Sequence, residues 1–167
     1  MKAICESTQH PDVGVRRVSF ECIAEIASAY YSVIAGYMNT LFQLTMKAVK
    51  SDQPEVGMQA LEFWSSICDQ EAGLLEEDAD AAEEAKQAGR APPAAECAGY
   101  VQAALQHLVP MLLEGMCKQE EDQDDDTWNL AMASGTCLSL VAVVCRDNCV
   151  DAVMVRACGR AGARERA

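Results

Sequence analysis

The sequence predicts an all-α fold in which antiparallel helix pairs stack into a solenoid. Apolar residues recur at helical spacing in successive segments of the 167-residue chain, and no segment shows the alternation of a β-strand. The pair Val13 and Gly14 recurs as Val56 and Gly57, an offset of about 43 residues. A single helix pair can bury only one face, so this recurrence favours stacked repeats with a shared core over an ordinary helical bundle.

The first two helices are predicted over 13–31 and 37–49, with a loose break between them. The apolar positions of the first helix are three or more residues apart, near the helical period, and those of the second follow the i, i+3, i+4 pattern, which places them on one face of each helix. These positions are Val15, Val18, Ile23 and Ile26 in the first helix, and Met38, Leu41, Phe42, Leu44 and Val49 in the second.

A third helix is predicted from Glu55 to about Glu76. Pro54 suits the first turn of a helix, because the N–H that proline lacks would have no helical partner there. Ser51 or Asp52 precedes this turn and is the expected N-cap.

Residues 78–96 form an insertion rich in Ala, Glu and Pro before the next helix. The insertion can begin as an extension of the third helix but must break at Pro92 and Pro93. Two further helices are predicted over 98–117 and 128–145. The predicted organisation is therefore the end of a preceding repeat at 1–10, a repeat at 11–51, a second repeat at 52–118 with the 78–96 insertion, an acidic loop at 119–127, an incomplete third repeat at 128–155 and a divergent tail at 156–167.

The composition restricts the class of partner. The formal net charge is −13 and the sequence pI is about 4.4. Nucleic acids and anionic membranes are polyanions that bind Lys and Arg, so this charge argues against both and favours a basic protein or peptide. We expect no membrane span, because no segment is long and apolar enough, and no secretory signal at the start of the chain.

Nine cysteines invite a metal or disulfide interpretation, but their spacing does not support it. There is no C-x-x-C pair, only two histidines are present, and most of the cysteines lie among Ile, Leu, Val and Ala. Such cysteines are typical of buried positions in a reducing compartment, the cytosol or the nucleus. Cys145 and Cys149 can share a helix face, but two thiols without a third ligand make a poor zinc site. We therefore predict no metal and no cofactor.

Catalytic motifs are also absent from the sequence. Neither His10 nor His107 has a nucleophile motif such as G-x-S-x-G nearby, and no glycine-rich phosphate loop occurs. The acidic run lacks the glycine and the ligand register of an EF-hand. The sequence therefore predicts a binding protein rather than an enzyme.

A run of carboxylates that ends near Trp128 is the strongest candidate for a binding site. Like charges this close repel one another and cannot be buried, so they are expected on a solvent-exposed loop that attracts a basic partner. Two alternatives stay open: the run is only a solvated connection, and Trp128 packs beneath it as a structural residue. The carboxylates are Glu120, Glu121, Asp122, Asp124, Asp125 and Asp126.

Several segments, in order along the chain, together resemble the karyopherin-beta family of nuclear import receptors, also called the importin-beta family. They are 5–9 (CESTQ), 62–71 (EFWSSICDQE), 108–112 (LVPML) and the acidic run that ends at Trp128 and Asn129. The resemblance covers roughly residues 1 to 150. It implies about three of the many HEAT repeats of a full receptor.

The resemblance implies protein transport by binding, without catalysis, in the cytoplasm, the nucleus and at the nuclear pore. The implied partners are Ran-GTP, the importin-alpha adaptor or other basic cargo, and Phe-Gly nucleoporins. The six carboxylates are the implied Ran-facing residues, and Trp128 is the implied ring that stacks on an Arg or Lys. In this family, shallow grooves between neighbouring outer helices bind Phe-Gly repeats. With the first helix of each repeat taken as the outer one, the implied residues here are Phe20, Ile23, Phe63 and Trp64.

Two other interpretations stay open. A HEAT-repeat scaffold or adaptor outside nuclear transport would share the fold, because a fold alone does not select a partner. A truncated, non-functional remnant would account for the Arg, Gly and Ala that replace the apolar pattern in the tail. The acidic run with its tryptophan, joined to the 62–71 segment, favours the transport receptor.

Overall fold

The computed structural model describes residues 1–118 and 128–154, and the part it describes contains helices and no β-strand, which confirms the all-α prediction. The predicted acidic loop and divergent tail lie outside the described residues. The helices are α1 (Lys2–Ser7), α2 (Val13–Ala29), a 3₁₀ helix (Tyr31–Tyr37), α3 (Met38–Ser51), α4 (Pro54–Gln87), α5 (Tyr100–Met116) and α6 (Leu130–Cys145), followed by a helical stretch over 147–154.

The helices form two layers. We call α2, α4 and α6, which pack side by side, the core layer, and α1, α3 and α5 the groove layer. Between the layers α3 packs against α4, and α5 against α6, as the helix pairs of a solenoid. The predicted repeats at 11–51 and 52–118 instead pair α2 with α3 and α4 with α5, one helix out of phase with this packing. A recurrence along the chain gives the length of a repeat but not the helix at which it starts.

Large apolar side chains without solvent exposure hold the core layer together. Phe20 and Ile23 of α2, Phe63 and Ile67 of α4 and Val141 of α6 are buried, and they belong to one continuous cluster. Burying a side chain of this size contributes about 1.5–3 kcal/mol. The shared core is what the recurrence in the sequence predicts for stacked helix pairs.

Cysteines pack into the same core. Cys68, Cys137, Cys145 and Cys149 are buried, and all eight cysteines of the described residues are free thiols. Burial raises the pKa of the Cys137 thiol to about 12 and that of Cys145 to about 11. These thiols therefore stay protonated and pack as small apolar side chains. Within 1–118 and 128–154, no group of three or more His, Cys, Asp and Glu side chains is placed to hold a metal ion.

The starts of α2 and α4 are held in different ways. Asp12 caps α2 by accepting a backbone N–H of the first turn at 3.1 Å. Pro54 opens α4 as predicted, but its N-cap is Gln53, whose side chain makes no capping hydrogen bond. The prediction of Ser51 or Asp52 as the cap is therefore wrong. Arg16 binds the Asp52 carboxylate instead, with N–O distances of 2.6 and 2.8 Å.

α4 runs past its predicted end and stops at Gln87. The Asp78 carboxylate accepts the N–H groups of Glu96 and Cys97 at 3.0 and 3.3 Å, which folds the following connection back along the helix. Gly89 has a φ of 65°, and the two prolines lie in irregular backbone, as predicted. Although α4 is long, neither it nor any other described helix is both long and apolar enough to cross a membrane.

Candidate functional site: a groove between α3 and α5

An open groove of about 400 Å³ lies between α3 and α5 in the groove layer. Its floor is apolar, because Met38 and Phe42 are half-buried there and Trp64 of α4 is buried beneath. Its rim is polar, with Asn39 and His107 both exposed. A concave apolar floor with a few polar groups is typical of a ligand site. The other lining residues are Ala35, Tyr100, Ala103 and Ala104.

Ring contacts and a hydrogen-bond chain fix the floor of the groove. The Trp64 indole N–H donates to Thr45 Oγ1 at 3.0 Å, and the Thr45 hydroxyl donates to the Leu41 carbonyl at 2.8 Å. Phe42 meets Trp64 edge to face with ring centroids 6.2 Å apart, and His107 meets Phe42 at 5.7 Å. Aromatic rings favour further edge-to-face contacts, so the floor is suited to a bound aromatic group.

Of the four residues expected to bind Phe-Gly repeats, Trp64 lies directly beneath the floor of this groove, although its own surface is buried. Phe20, Ile23 and Phe63 lie in the packing of the core layer, with at most 1% of their surface exposed. Their position in the core leaves them no surface for a ligand. The family resemblance had placed them on a groove between the first helices of successive repeats, and apolar spacing cannot distinguish a helix face turned to a neighbouring helix from one turned to a groove.

The residues that sequence reasoning missed are on α3 and α5. Met38 and Phe42 were recognised as part of an apolar stripe, and Tyr100 and His107 follow on the predicted fourth helix. One signal was available in the sequence: Ala103 and Ala104 lie between Tyr100 and His107, and such small side chains leave space for a ligand on that face of α5. Without the phase of the repeats, nothing in the sequence indicated that α3 and α5 are neighbours.

The described residues that flank positions 119–127 make specific contacts with the fold. On one side, Lys118 Nζ donates to the carbonyls of Val49 and Lys50, each at 3.1 Å, at the end of α3. On the other side, the Asn129 side chain caps α6 by accepting a backbone N–H at 3.0 Å. Lys118 is therefore held at the end of α3, and Asn129 at the start of α6.

Trp128, beside this segment, has 56% of its surface exposed. An exposed indole is free to stack on a cationic side chain, which is the contact expected for it. The carboxylates expected to face a basic partner lie outside the described residues; they are Glu120, Glu121, Asp122, Asp124, Asp125 and Asp126.

Over most of its length, the chain is similar in sequence to importin subunits beta-1. It is 47% identical over 163 residues to Importin subunit beta-1 of Arabidopsis thaliana, and 36% identical over 155 residues to that of Schizosaccharomyces pombe. Each alignment covers 92% of this chain. The chain spans about 17% of the length of these curated relatives. No protein-family model matches it.

Solved structures of importin-beta share the fold. A crystal structure of importin-beta in an ammonium sulfate condition has a TM-score of 0.77 at 31% identity. A complex of Kap95 with Nup1 has a TM-score of 0.72 at 34% identity. The TM-score is 0.73 at 33% identity for a structure in which Kap95p binding induces the switch loops of RanGDP to adopt the GTP-bound conformation. Each covers 92% of this chain and 17% of the solved chain. These likenesses confirm the predicted HEAT-repeat solenoid.

Proposed function

Since this chain is a homologue of one segment of importin-beta, in the karyopherin-beta family of nuclear import receptors, we propose that it serves nuclear protein import by binding partners rather than by catalysis. The proposed setting is the cytoplasm and the nucleus, with passage through the nuclear pore. The observation that carries the proposal is the groove between α3 and α5, because it combines a concave apolar floor, ordered by ring contacts, with a polar rim.

The groove fits the phenyl ring of a Phe-Gly repeat in a nucleoporin. Met38 and Phe42 would bury the ring and supply an aromatic contact, while the buried Trp64 supports Phe42 from beneath. Asn39 and His107 at the rim can hydrogen-bond the peptide backbone, which the neighbouring glycine leaves uncovered. The similar chain solved in complex with Nup1 supports a partner of this class. Burying one ring is worth about 1.5–3 kcal/mol, so we expect weak binding to a single repeat and stronger binding to several.

Filling the groove tests this function. Ala103 is exposed and lines the groove, so Ala103→Leu would occupy the ring site without changing the core. Ala82→Leu, at an exposed position on α4, is the matched control. In an NMR titration with a Phe-Gly peptide, we expect Ala103→Leu to weaken binding at least about tenfold and the control to leave it unchanged. Equal affinities for the two variants, or equal binding of a peptide with serine in place of phenylalanine, would contradict the proposal.

The acidic loop 119–127 and Trp128 are the proposed surface for Ran-GTP and for basic partners, namely the importin-alpha adaptor or basic cargo. Individual surface ion pairs are worth only about 0–1 kcal/mol, so no single carboxylate should dominate. Six carboxylates close together raise the rate of encounter with a basic surface and make binding sensitive to salt. The exposed Trp128 adds a ring for an Arg or Lys side chain.

Charge neutralisation tests this second surface. Replacing the six carboxylates of 120–126 with Asn or Gln should weaken binding to Ran loaded with a non-hydrolysable GTP analogue, and should flatten its salt dependence. The control carries the same change of charge on six exposed positions of α4. Loss of binding in both variants would mean that only net charge matters, and binding that does not distinguish Ran-GTP from Ran-GDP would contradict the receptor role. The control positions are Glu55, Glu76, Glu77, Asp80, Glu83 and Glu84.

A further inference from the structure

Glu71 of α4 is a fully buried carboxylate, with 0% of its surface exposed. Among the ion pairs of the described residues, none joins it to a Lys or Arg. Its carboxylate instead accepts hydrogen bonds from the Tyr31 hydroxyl at 2.8 Å, from the Val101 N–H at 3.2 Å and from the Tyr100 N–H. A buried carboxylate is costly unless such bonds replace its hydration, so the position has a specific role in the fold.

The hydrogen bonds of Glu71 reach both walls of the groove. Tyr31 begins the 3₁₀ helix that carries Ala35 and leads into α3, which form one wall. Tyr100 begins α5, which forms the other wall, and the Tyr100 ring itself lines the groove. The rings of Tyr31 and Tyr100 also meet, with centroids 5.2 Å apart. One carboxylate therefore joins the starts of the two walls.

Glu71 also supplies a cap that α5 lacks. The N-cap residue of α5 is Gly99, which has a φ of 70° and no side chain to accept the first N–H groups. The carboxylate accepts two of these N–H groups, and the helix dipole favours a negative charge at that end. The Tyr31 hydroxyl oxygen accepts the N–H of Ala98 at 3.1 Å and so holds the chain just before the helix. Contacts from α4 and the 3₁₀ helix thus fix where α5 begins.

α4 carries the floor of the groove and this tether together. Glu71 follows Trp64 by about two helical turns, so the two side chains project from the same face of α4. The indole forms the floor, and the carboxylate ties the walls on either side of it. The hydrogen-bond partners of Glu71 thus belong to the two walls and not to the floor.

We propose that Glu71 is a positioning residue for the groove: its carboxylate holds α5 and the start of α3 at the separation that admits an aromatic ring. The inference rests on the proposed binding of Phe-Gly repeats, in which Glu71 itself touches no ligand. The pKa of the Tyr31 hydroxyl is raised, first by burial and then by its hydrogen bond to Glu71, so this donor stays protonated and the tether is not weakened at neutral pH.

Glu71→Gln and Tyr31→Phe separate the two halves of the tether. Glu71 Oε1 accepts from Tyr31 and Tyr100, and Oε2 accepts from Val101. Gln keeps the shape of the side chain but offers one acceptor oxygen in place of two, so in either orientation of its amide at least one N–H at the start of α5 loses its acceptor. We expect Glu71→Gln to weaken Phe-Gly peptide binding about tenfold, and Tyr31→Phe about threefold because the cap of α5 remains. The double variant should bind no more weakly than Glu71→Gln, since both changes break one network. Asp52→Asn, which breaks an ion pair away from the groove, should leave the affinity unchanged.

A measurement without ligand separates this inference from the proposed function. The methyl NMR signals of Ala35, Ala103 and Ala104 report the walls directly, and they should move in Glu71→Gln and Tyr31→Phe but not in Asp52→Asn. If the wild-type chain binds no Phe-Gly peptide, the proposed function fails while these signals still decide the role of Glu71. Unmoved signals in Glu71→Gln would overturn the inference, as would an unchanged peptide affinity. If Glu71→Gln does not fold, Tyr31→Phe decides by the same two readouts.

Discussion

The core layer and the groove layer are both built from apolar helices, yet they pack differently. In the core layer, side chains such as Phe20 and Phe63 are buried to at most 1% exposure. In the groove layer, α3 and α5 leave a space of about 400 Å³ between them, with Phe42 only half-buried beside it. The difference lies in the small side chains of the groove walls, because alanine at 103 and 104 cannot fill the space opposite α3.

This difference separates stability from binding. Interiors are close-packed, so a residue of the core layer cannot be used for a ligand without a large loss of stability. The groove keeps its shape without being filled, because its floor rests on the core layer and its walls are joined through Glu71. Residues of the groove can therefore change more freely than residues of the core layer, and function is expected where the packing is incomplete.

Truncating one phenylalanine in each layer gives the largest expected effect. Phe63→Ala should lower the free energy of unfolding by about 3–5 kcal/mol, since it leaves a cavity in a closed core. Phe42→Ala should cost only about 1–2 kcal/mol, because the ring is half-buried, but it should remove most of the affinity for a Phe-Gly peptide. Urea unfolding followed by circular dichroism, with a peptide titration of Phe42→Ala, measures both. Similar losses of stability for the two variants would erase the contrast between the layers.

Two glycine substitutions test the contact between the layers with a smaller effect. A Cβ at Gly115 of α5 would collide with the Ser134 Oγ of α6 and lie 3.1 Å from Ser134 Cβ. Gly115→Ala should therefore destabilise the chain by about 1–3 kcal/mol. Gly73→Ala is the control, because a Cβ there meets nothing within 4 Å, and in an exposed helix it should stabilise by up to about 1 kcal/mol.

Ser134→Ala shows whether the clash is the cause of that loss. Ser134 Oγ donates to the Leu130 carbonyl at 2.7 Å, so removing it costs little but makes room for the new methyl group. In thermal unfolding, the double variant with Gly115→Ala should be more stable than the sum of the two single changes predicts. Additive losses would mean that α5 and α6 move apart rather than repack.

The helices themselves were predictable from the sequence, since apolar spacing and Pro54 are local signals that decide where a helix forms. Their pairing was not predictable, because a recurrence does not say which helix starts a repeat. The residues expected to bind Phe-Gly repeats were consequently sought on α2 and α4, which form the core layer. The role of Glu71 also escaped sequence reasoning. Its partners, Tyr31 and Tyr100, are far from it along the chain, and only the fold brings the three together.

The ion pair of Arg16 and Asp52 gives the smallest expected effect, and it tests how the start of α2 is joined to the turn between α3 and α4. The hydrogen bonds from Arg16 lower the pKa of the Asp52 carboxyl below its ordinary value. A carboxyl with a lowered pKa in the folded state stabilises that state above its unfolded pKa of about 4, and this contribution is lost as the pH falls through the folded pKa. Asp52→Asn should therefore lower the free energy of unfolding at pH 7. The gap, meaning the difference in this free energy between the variant and the wild type, should close on acidification.

Urea unfolding at pH 7, 5 and 3 measures that gap, and Asp80→Asn provides the control for the loss of one negative charge. Asp80 is exposed on α4, so removing its charge changes the repulsion in this acidic chain without breaking the ion pair of Arg16 and Asp52. The gap between Asp52→Asn and the wild type should be wider than the gap for Asp80→Asn at pH 7, and the two should converge at pH 3. A gap for Asp52→Asn that stays constant across this range would mean that Arg16 holds the turn by shape and by its bonds to the His10 and Pro11 carbonyls, rather than by the charge on Asp52.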